Sequence, residues 1–217
     1  TGTTRSTPES SALAPSHAPA SSPPSERADF ASVVGWPVVA VGAFGGALAQ
    51  AIHRLKYDGR YEVGRSLGGL LAGACDGASA ELSGVDRVVP VPLGRARLDE
   101  RGYNQAALLA APVARRLGAR LDTGSLRRAI ETDALAQQGL ASRQASIAGA
   151  FVAGAALAAR RVLLVDDVLT TGATSSACAD AIARAGGRVV AVAVVARVER
   201  HSPARPPRPG AGEPDGR

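Results

Sequence analysis

Four apolar residues in a row, Val162 to Val165, run directly into Asp166 and Asp167. An unbroken apolar run of this length suits a parallel strand covered on both faces. Residues 188–198 repeat the pattern, 38–41 and 87–91 give shorter strands, and a brief strand is expected near 120–121. Pro90 and Pro92 mark the end of the strand at 87–91, because proline donates nothing to a sheet ladder. Between the strands, residues 43–56, 62–74, 103–117 and 175–185 read as helices, with Gly118 and the Gly186-Gly187 pair as stop signals. Strands alternating with helices predict an α/β fold with a parallel sheet flanked by helices.

The two ends of the chain differ in character. Residues 1–32 are dominated by Ser, Pro, Ala and Thr and hold too little apolar surface to fold, while 201–217 is a basic stretch rich in Pro and Gly. The expected organisation is a domain over 33–200 between disordered N- and C-terminal tails. At 217 residues the chain has room for one domain of ordinary size, and its core needs no staples. Although 46% of the residues are apolar, no stretch has the length and character of a membrane span, so no membrane insertion is predicted. Residues 1–32 lack the basic start and apolar block of a secretory signal, and a cytoplasmic location is expected. Cys75 and Cys178 stand far apart in Ala-rich stretches and read as buried free thiols. His17, His53 and His201 form no ligand cluster, and without a Cys-x-x-Cys pair the sequence holds no zinc site of that kind.

Chemistry concentrates after the strand at 161–165. Carboxylates only accept hydrogen bonds, so Asp166 and Asp167 suit ribose hydroxyls or a hydrated Mg²⁺ and would repel a phosphate. Thr170, Thr171 and Thr174 donate hydroxyl protons, Gly172 lets the backbone approach closely, and the following helix directs its positive end at the loop. A ligand that satisfies both halves is a ribose 5-phosphate. The alternative, a plain strand with turn-forming Asp and Thr residues, must explain each of these positions by accident. A second concentration follows the strand at 87–91, where Arg95, Arg97 and Arg101 suit a polyphosphate and Gly94 and Gly102 permit a mobile loop.

Residues 162–174 resemble the signature of the type I phosphoribosyltransferases: four apolar residues, two acids and a Thr/Gly loop. Residues 88–110 are similar to the ComF pattern, in which a Pro-Val-Pro strand end (Pro90, Val91, Pro92) and an Arg-rich loop lead to Arg101-Gly-Tyr-Asn-Gln105. Leu55-Lys-Tyr-Asp-Gly59 and Gly149-Ala-Phe151 also match, so the likeness covers about residues 36–198. Between them the match is looser: Thr132, Gln137, Gly139 and Arg143 fit, but Ser146 stands where the family has Asn.

The resemblance implies a type I phosphoribosyltransferase-like parallel sheet and a ligand, 5-phosphoribosyl 1-pyrophosphate or a nucleotide. It makes Asp166, Asp167 and Arg101 the catalytic candidates and Thr170, Thr171, Gly172, Ala173 and Thr174 the phosphate loop. Pro92, Arg95, Arg97, Arg101, Asn104 and Gln105 become the pyrophosphate loop. Mg²⁺ is implied through the substrate and one of Asp166 or Asp167, not through a cage of protein ligands. Many ComF-like proteins carry a zinc module of paired cysteines; nothing in this sequence matches it, so no zinc is expected. Purine-salvage relatives place an acid where Thr170 stands, which argues against hypoxanthine or guanine as acceptor. Two readings stand side by side. One is an enzyme transferring phosphoribosyl to an unidentified acceptor, and the other a competence accessory protein that binds the ligand without turnover and works with DNA-uptake proteins. A third reading has Arg115, Arg116, Arg127, Arg128 and the C-terminal tail contact single-stranded DNA.

Overall fold

The structure, a computed structural model, describes residues 35–130 and 149–198. The two expected tails and the whole loosely matching stretch from Thr132 to Ser146 therefore lie outside the described residues. The order along the chain is β1 (Val38–Ala43), α1 (Gly46–Tyr57), α2 (Tyr61–Asp76), β2 (Arg87–Pro90), α3 (Arg95–Arg101), α4 (Gln105–Leu117), β3 (Arg120–Leu121) and β4 (Leu126–Arg128). After the gap come β5 (Phe151–Ala153), a single 3₁₀ turn, β6 (Arg161–Leu169), α5 (Ala173–Arg184) and β7 (Arg188–Arg197).

Five strands form an all-parallel sheet in the order β1-β7-β6-β2-β3, as the alternating pattern predicts. β6 and β7 are covered on both sides, which is why their sequences are almost unbroken apolar runs. Leu163 and Val165 pack with Ile52 and Leu55 of α1, Leu67 and Leu71 of α2 and Leu109 and Val113 of α4. Val162 and Leu164 face the other way, onto Cys178 and Ile182 of α5 and onto Leu126 and Phe151 of a small antiparallel pair, β4 with β5. Among the described residues no helix is long and apolar enough to cross a membrane.

Several boundaries differ from expectation, each for a local reason. β1 takes Ala43, which pairs with Arg197, and the Phe44 N–H donates to the Arg197 carbonyl at 2.7 Å, so the helix waits until Gly46 in the left-handed region at φ 50°. β6 continues through both aspartates to Leu169, because β7 offers a ladder partner as far as Arg197. The Arg-rich stretch is helix α3, not a loop. Its residues are good helix formers, Arg95 and Asp99 pair at 3.8 Å one turn apart, and Gly102 at φ 74° closes it by donating to Leu98. The basic stretch at 125–130 contains a short strand whose partner lies more than twenty residues away, a pairing no local pattern reveals. Helix α4 begins at Gln105 because Asn104 caps it: its Oδ1 accepts from the Ala106 N–H at 2.9 Å and its Nδ2 donates to the Val91 carbonyl at 3.0 Å.

Adjacent glycines on α2 have opposite surroundings. A Cβ on Gly68 would lie 2.9 Å from the Pro112 ring and 3.2 Å from the Leu108 carbonyl of α4, whereas one on Gly69 would meet nothing within 4 Å. Gly68→Val should destabilise the fold by about 1–3 kcal/mol through overpacking, and Gly69→Ala should stabilise it by about 0.5–1 kcal/mol. Urea unfolding of the two variants checks both signs.

Candidate functional site

The carboxyl ends of β2 and β6 open into a cleft with a cavity volume of about 140 Å³. It is lined by Lys56 of α1, Val91, Pro92 and Leu93 after β2, Arg97 and Arg101 of α3, and Asn104 and Gln105 at the start of α4. Arg128 of β4, Asp166, Asp167 and Thr174 complete it. This is where ligands bind in open α/β sheets. Of the residues singled out from sequence, the structure brings together Pro92, Arg97, Arg101, Asn104, Gln105, both aspartates and Thr174. Arg95 is on the exposed side of α3 with Asp99 and is not part of the lining. Thr170 and Thr171 are exposed on the loop that precedes Thr174.

The period of two along β6 turns neighbouring acids to opposite faces of the sheet. Asp167 takes the side of α1 and α4, where its Oδ2 accepts from Lys56 Nζ at 3.1 Å and from Gln105 Nε2 at 2.9 Å. With 5% of its surface exposed, this carboxylate depends on both donors. Asp166 takes the other side, and its Oδ1 accepts the Asp167 N–H at 2.8 Å. Burial, and then the adjacent Asp167 charge, push the Asp166 carboxyl up to about 8, against the opposing pull of the Asp167 N–H and of Lys56. Cys178 of α5 feels the same acid: burial first and Asp166 second hold its thiol well above the ordinary range, with Arg128 pulling the other way. Both cysteines are buried free thiols.

Gly172 closes the turn after β6 at φ 80°, a conformation that favours glycine, and so lets α5 begin at Ala173 directly behind the threonine loop. The Ala173 N–H donates to Thr171 Oγ1 at 3.4 Å. On the opposite wall, Arg101 lies over the Tyr57 ring at 5.2 Å. Arg101 Nε and Gln105 Oε1 are buried, and neither finds a hydrogen-bond partner among the described residues. An orphaned donor and an orphaned acceptor at one cleft suit a ligand that carries both kinds of group.

Two cationic lining residues, Lys56 and Arg128, and the apolar Val91 and Leu93 were not assigned to this cleft from sequence. Lys56 lies within the matching segment Leu55-Lys-Tyr-Asp-Gly59, which was the available signal. Arg128 looked like one more cation in a basic stretch; its guanidinium in fact lies 5.4 Å over the Phe151 ring at the cleft. Of the arginines expected to face DNA, Arg128 lines the cleft and Arg116 forms a two-pronged pair with Asp76 at 2.6 and 2.9 Å.

Comparison with known proteins identifies the family. The phosphoribosyl transferase domain family matches residues 104–211. The DNA utilization protein YhgH of Escherichia coli is 34% identical over 160 residues, covering 71% of this chain and 69% of that protein. The chain belongs to the ComF family of type I phosphoribosyltransferase-like proteins. Competence protein F of Haemophilus influenzae, 32% identical over 74% of the chain and 72% of its own length, is a further relative. The likeness of this ComF protein to the adenine phosphoribosyltransferase of a Synechococcus strain is local, 49% over 45 residues, or 21% of the chain and 25% of that enzyme.

The acid pair gives the ComF protein a testable pH dependence. A carboxyl whose folded value is raised binds its proton more tightly in the native state than in the unfolded chain. Its stabilising contribution is complete below the ordinary value of 3.8 and is lost as the pH rises through about 8. Asp166→Asn should therefore flatten the decline in unfolding free energy between those limits, measured by denaturant titration of ligand-free protein at successive pH values.

Proposed function

We propose that the cleft binds 5-phosphoribosyl 1-pyrophosphate together with Mg²⁺. The observation that carries the reading is the division of the cleft. A pair of acids in the last part of β6 shares the cleft with Thr174, at the start of a helix, and with Arg97, Arg101 and Lys56. Asp166 and Asp167 accept from the ribose hydroxyls, the loop from Thr170 to Thr174 takes the 5′-phosphate, and the cations face the pyrophosphate. A divalent cation fits this donor set. Burial first, and then the Asp167 charge, raise the Asp166 carboxyl; a cation beside it would offset both, and Mg²⁺ binds through one or two carboxylates with substrate oxygens and water making up the rest. When bound, Mg²⁺ neutralises charge on the departing pyrophosphate.

In transfer, the bond from C1 of the ribose to the pyrophosphate oxygen breaks, a bond from C1 to the acceptor's nucleophile forms, and pyrophosphate leaves. Arg97 and Arg101 stabilise the leaving group. The two acids hold the ribose and place negative potential near the developing cationic carbon. Thr170 offers no carboxylate base, so an acceptor that already carries a good nucleophile is favoured over hypoxanthine or guanine. A cytoplasmic location belongs to the same proposal, because this sugar phosphate is an intracellular metabolite.

A second reading has the same cleft binding its ligand without turnover while the protein works on DNA with uptake partners. It is supported by the names of the relatives, DNA utilization protein and competence protein F.

Titration calorimetry with Mg²⁺ and 5-phosphoribosyl 1-pyrophosphate should show binding that Asp166→Asn combined with Asp167→Asn abolishes. Undiminished affinity in the double variant overturns the site assignment. Arg97→Ala or Arg101→Ala should each cost about tenfold or more in affinity, the scale of a lost charged hydrogen bond, and Arg95→Ala far less. Pyrophosphate release measured across a panel of nucleobases, amines and oligonucleotides separates the two readings: release with one acceptor selects the enzyme.

A further inference from the structure

All three tyrosines of the chain gather on one rim beside the cleft. Tyr57 packs tilted against His53, with ring centroids 4.8 Å apart and planes at 46°, and Tyr61 against Tyr103 at 4.6 Å and 48°. Arg101 lies over the Tyr57 ring, and the Tyr103 hydroxyl donates to the Leu55 carbonyl on the same helix as Tyr57. Packing does not account for the outer rings, since Tyr57 is 58% and Tyr61 46% exposed. Exposed Arg54, Arg60 and Arg65 border them in sequence, against the acids Asp58 and Glu62.

Exposed aromatic rings set among arginines match a particular chemistry, that of flat unpaired bases strung on a phosphate backbone. A duplex hides its base faces in its own stack, so these rings have no grip on it. An acidic peptide would satisfy the arginines but would leave the tyrosine faces unused. We propose that the Tyr57–Tyr61 rim is a binding surface for single-stranded DNA, with bases stacked on the tyrosines and phosphates held by Arg54, Arg60 and Arg65. The choice of DNA rests on the second reading above; Tyr57 and Tyr61 are not among the residues that line the cleft. It also relocates the nucleic-acid surface expected from Arg115, Arg116, Arg127 and Arg128.

Fluorescence anisotropy of the whole chain with a labelled oligothymidylate of about twelve nucleotides tests this. Binding should weaken steeply between about 50 and 200 mM salt. Tyr57→Ala and Tyr61→Ala should each weaken it by about tenfold, while Tyr61→Phe, which keeps the ring, retains it. Arg60→Gln should reduce the salt slope by about one, and Arg184→Ala at the far end of α5 should change nothing. Circular dichroism of each variant separates lost binding from lost folding. No binding by the unaltered protein overturns both the rim and the DNA reading. Binding indifferent to both tyrosine truncations, or displaced equally by duplex or by polyglutamate, overturns the rim alone. Stronger binding of an oligouridylate overturns the choice of DNA.

Discussion

A carboxylate at the end of a covered strand has to be met by protein donors, and Asp167 imposes that constraint on everything around it. Lys56 comes from α1 and Gln105 from α4, so one buried oxygen ties two helices to the central strand. The cap at Asn104 fixes where α4 begins, by hydrogen bonds to its own first turn and to the end of β2. Moving that start by one residue would swing Gln105 off the face that meets Asp167. The cleft is thus positioned by hydrogen bonds that also define secondary structure, and its polar groups double as fold determinants.

The same arrangement leaves the site electrostatically incomplete. Asp167 has its cation, but Asp166 turns to the opposite face and accepts no hydrogen bond from those donors, and its carboxyl is raised by burial and by its neighbour. Across the cleft, Arg101 Nε and Gln105 Oε1 are buried without partners among the described residues. Unmet acceptors, unmet donors and a repelling acid pair are costly unless a ligand bearing hydroxyls, anionic oxygens and a divalent cation compensates them together.

The sheet and its helices were readable because burial on both faces writes itself into sequence as unbroken apolar runs, seen in β6 and β7. What failed was information held by a distant partner. Ala43 and Asp166 to Leu169 became strand because β7 extends alongside them, and β4 exists because β5 returns to it. The signature residues Asp166, Asp167 and Thr174 were readable for another reason, since a strand, a turn and a helix start lie within one short stretch of chain. Lys56 and Arg128 reach the cleft from elements remote in sequence, where a lone cation carries no sign of its destination. The Arg-rich segment shows a third kind of difference. Arginine count suggested a phosphate-facing loop, but helical periodicity decides which arginines can face the cleft, and it sends Arg97 and Arg101 inward and Arg95 outward.

Arg101 belongs to both the cleft and the tyrosine rim, which bears on how the two surfaces relate. Its guanidinium lies over Tyr57 while its Nε has no hydrogen-bond partner among the described residues, so the stack on the ring does not exhaust its donors. A cation–π contact at a partly exposed ring is worth about 0.5–1 kcal/mol, less than a charged hydrogen bond to a phosphate oxygen. An anion in the cleft therefore competes favourably for Arg101, and any such rearrangement alters the face that Tyr57 presents outside. The rim and the cleft share this one side chain, so an anion that engages the Arg101 Nε would also change what lies over the Tyr57 ring.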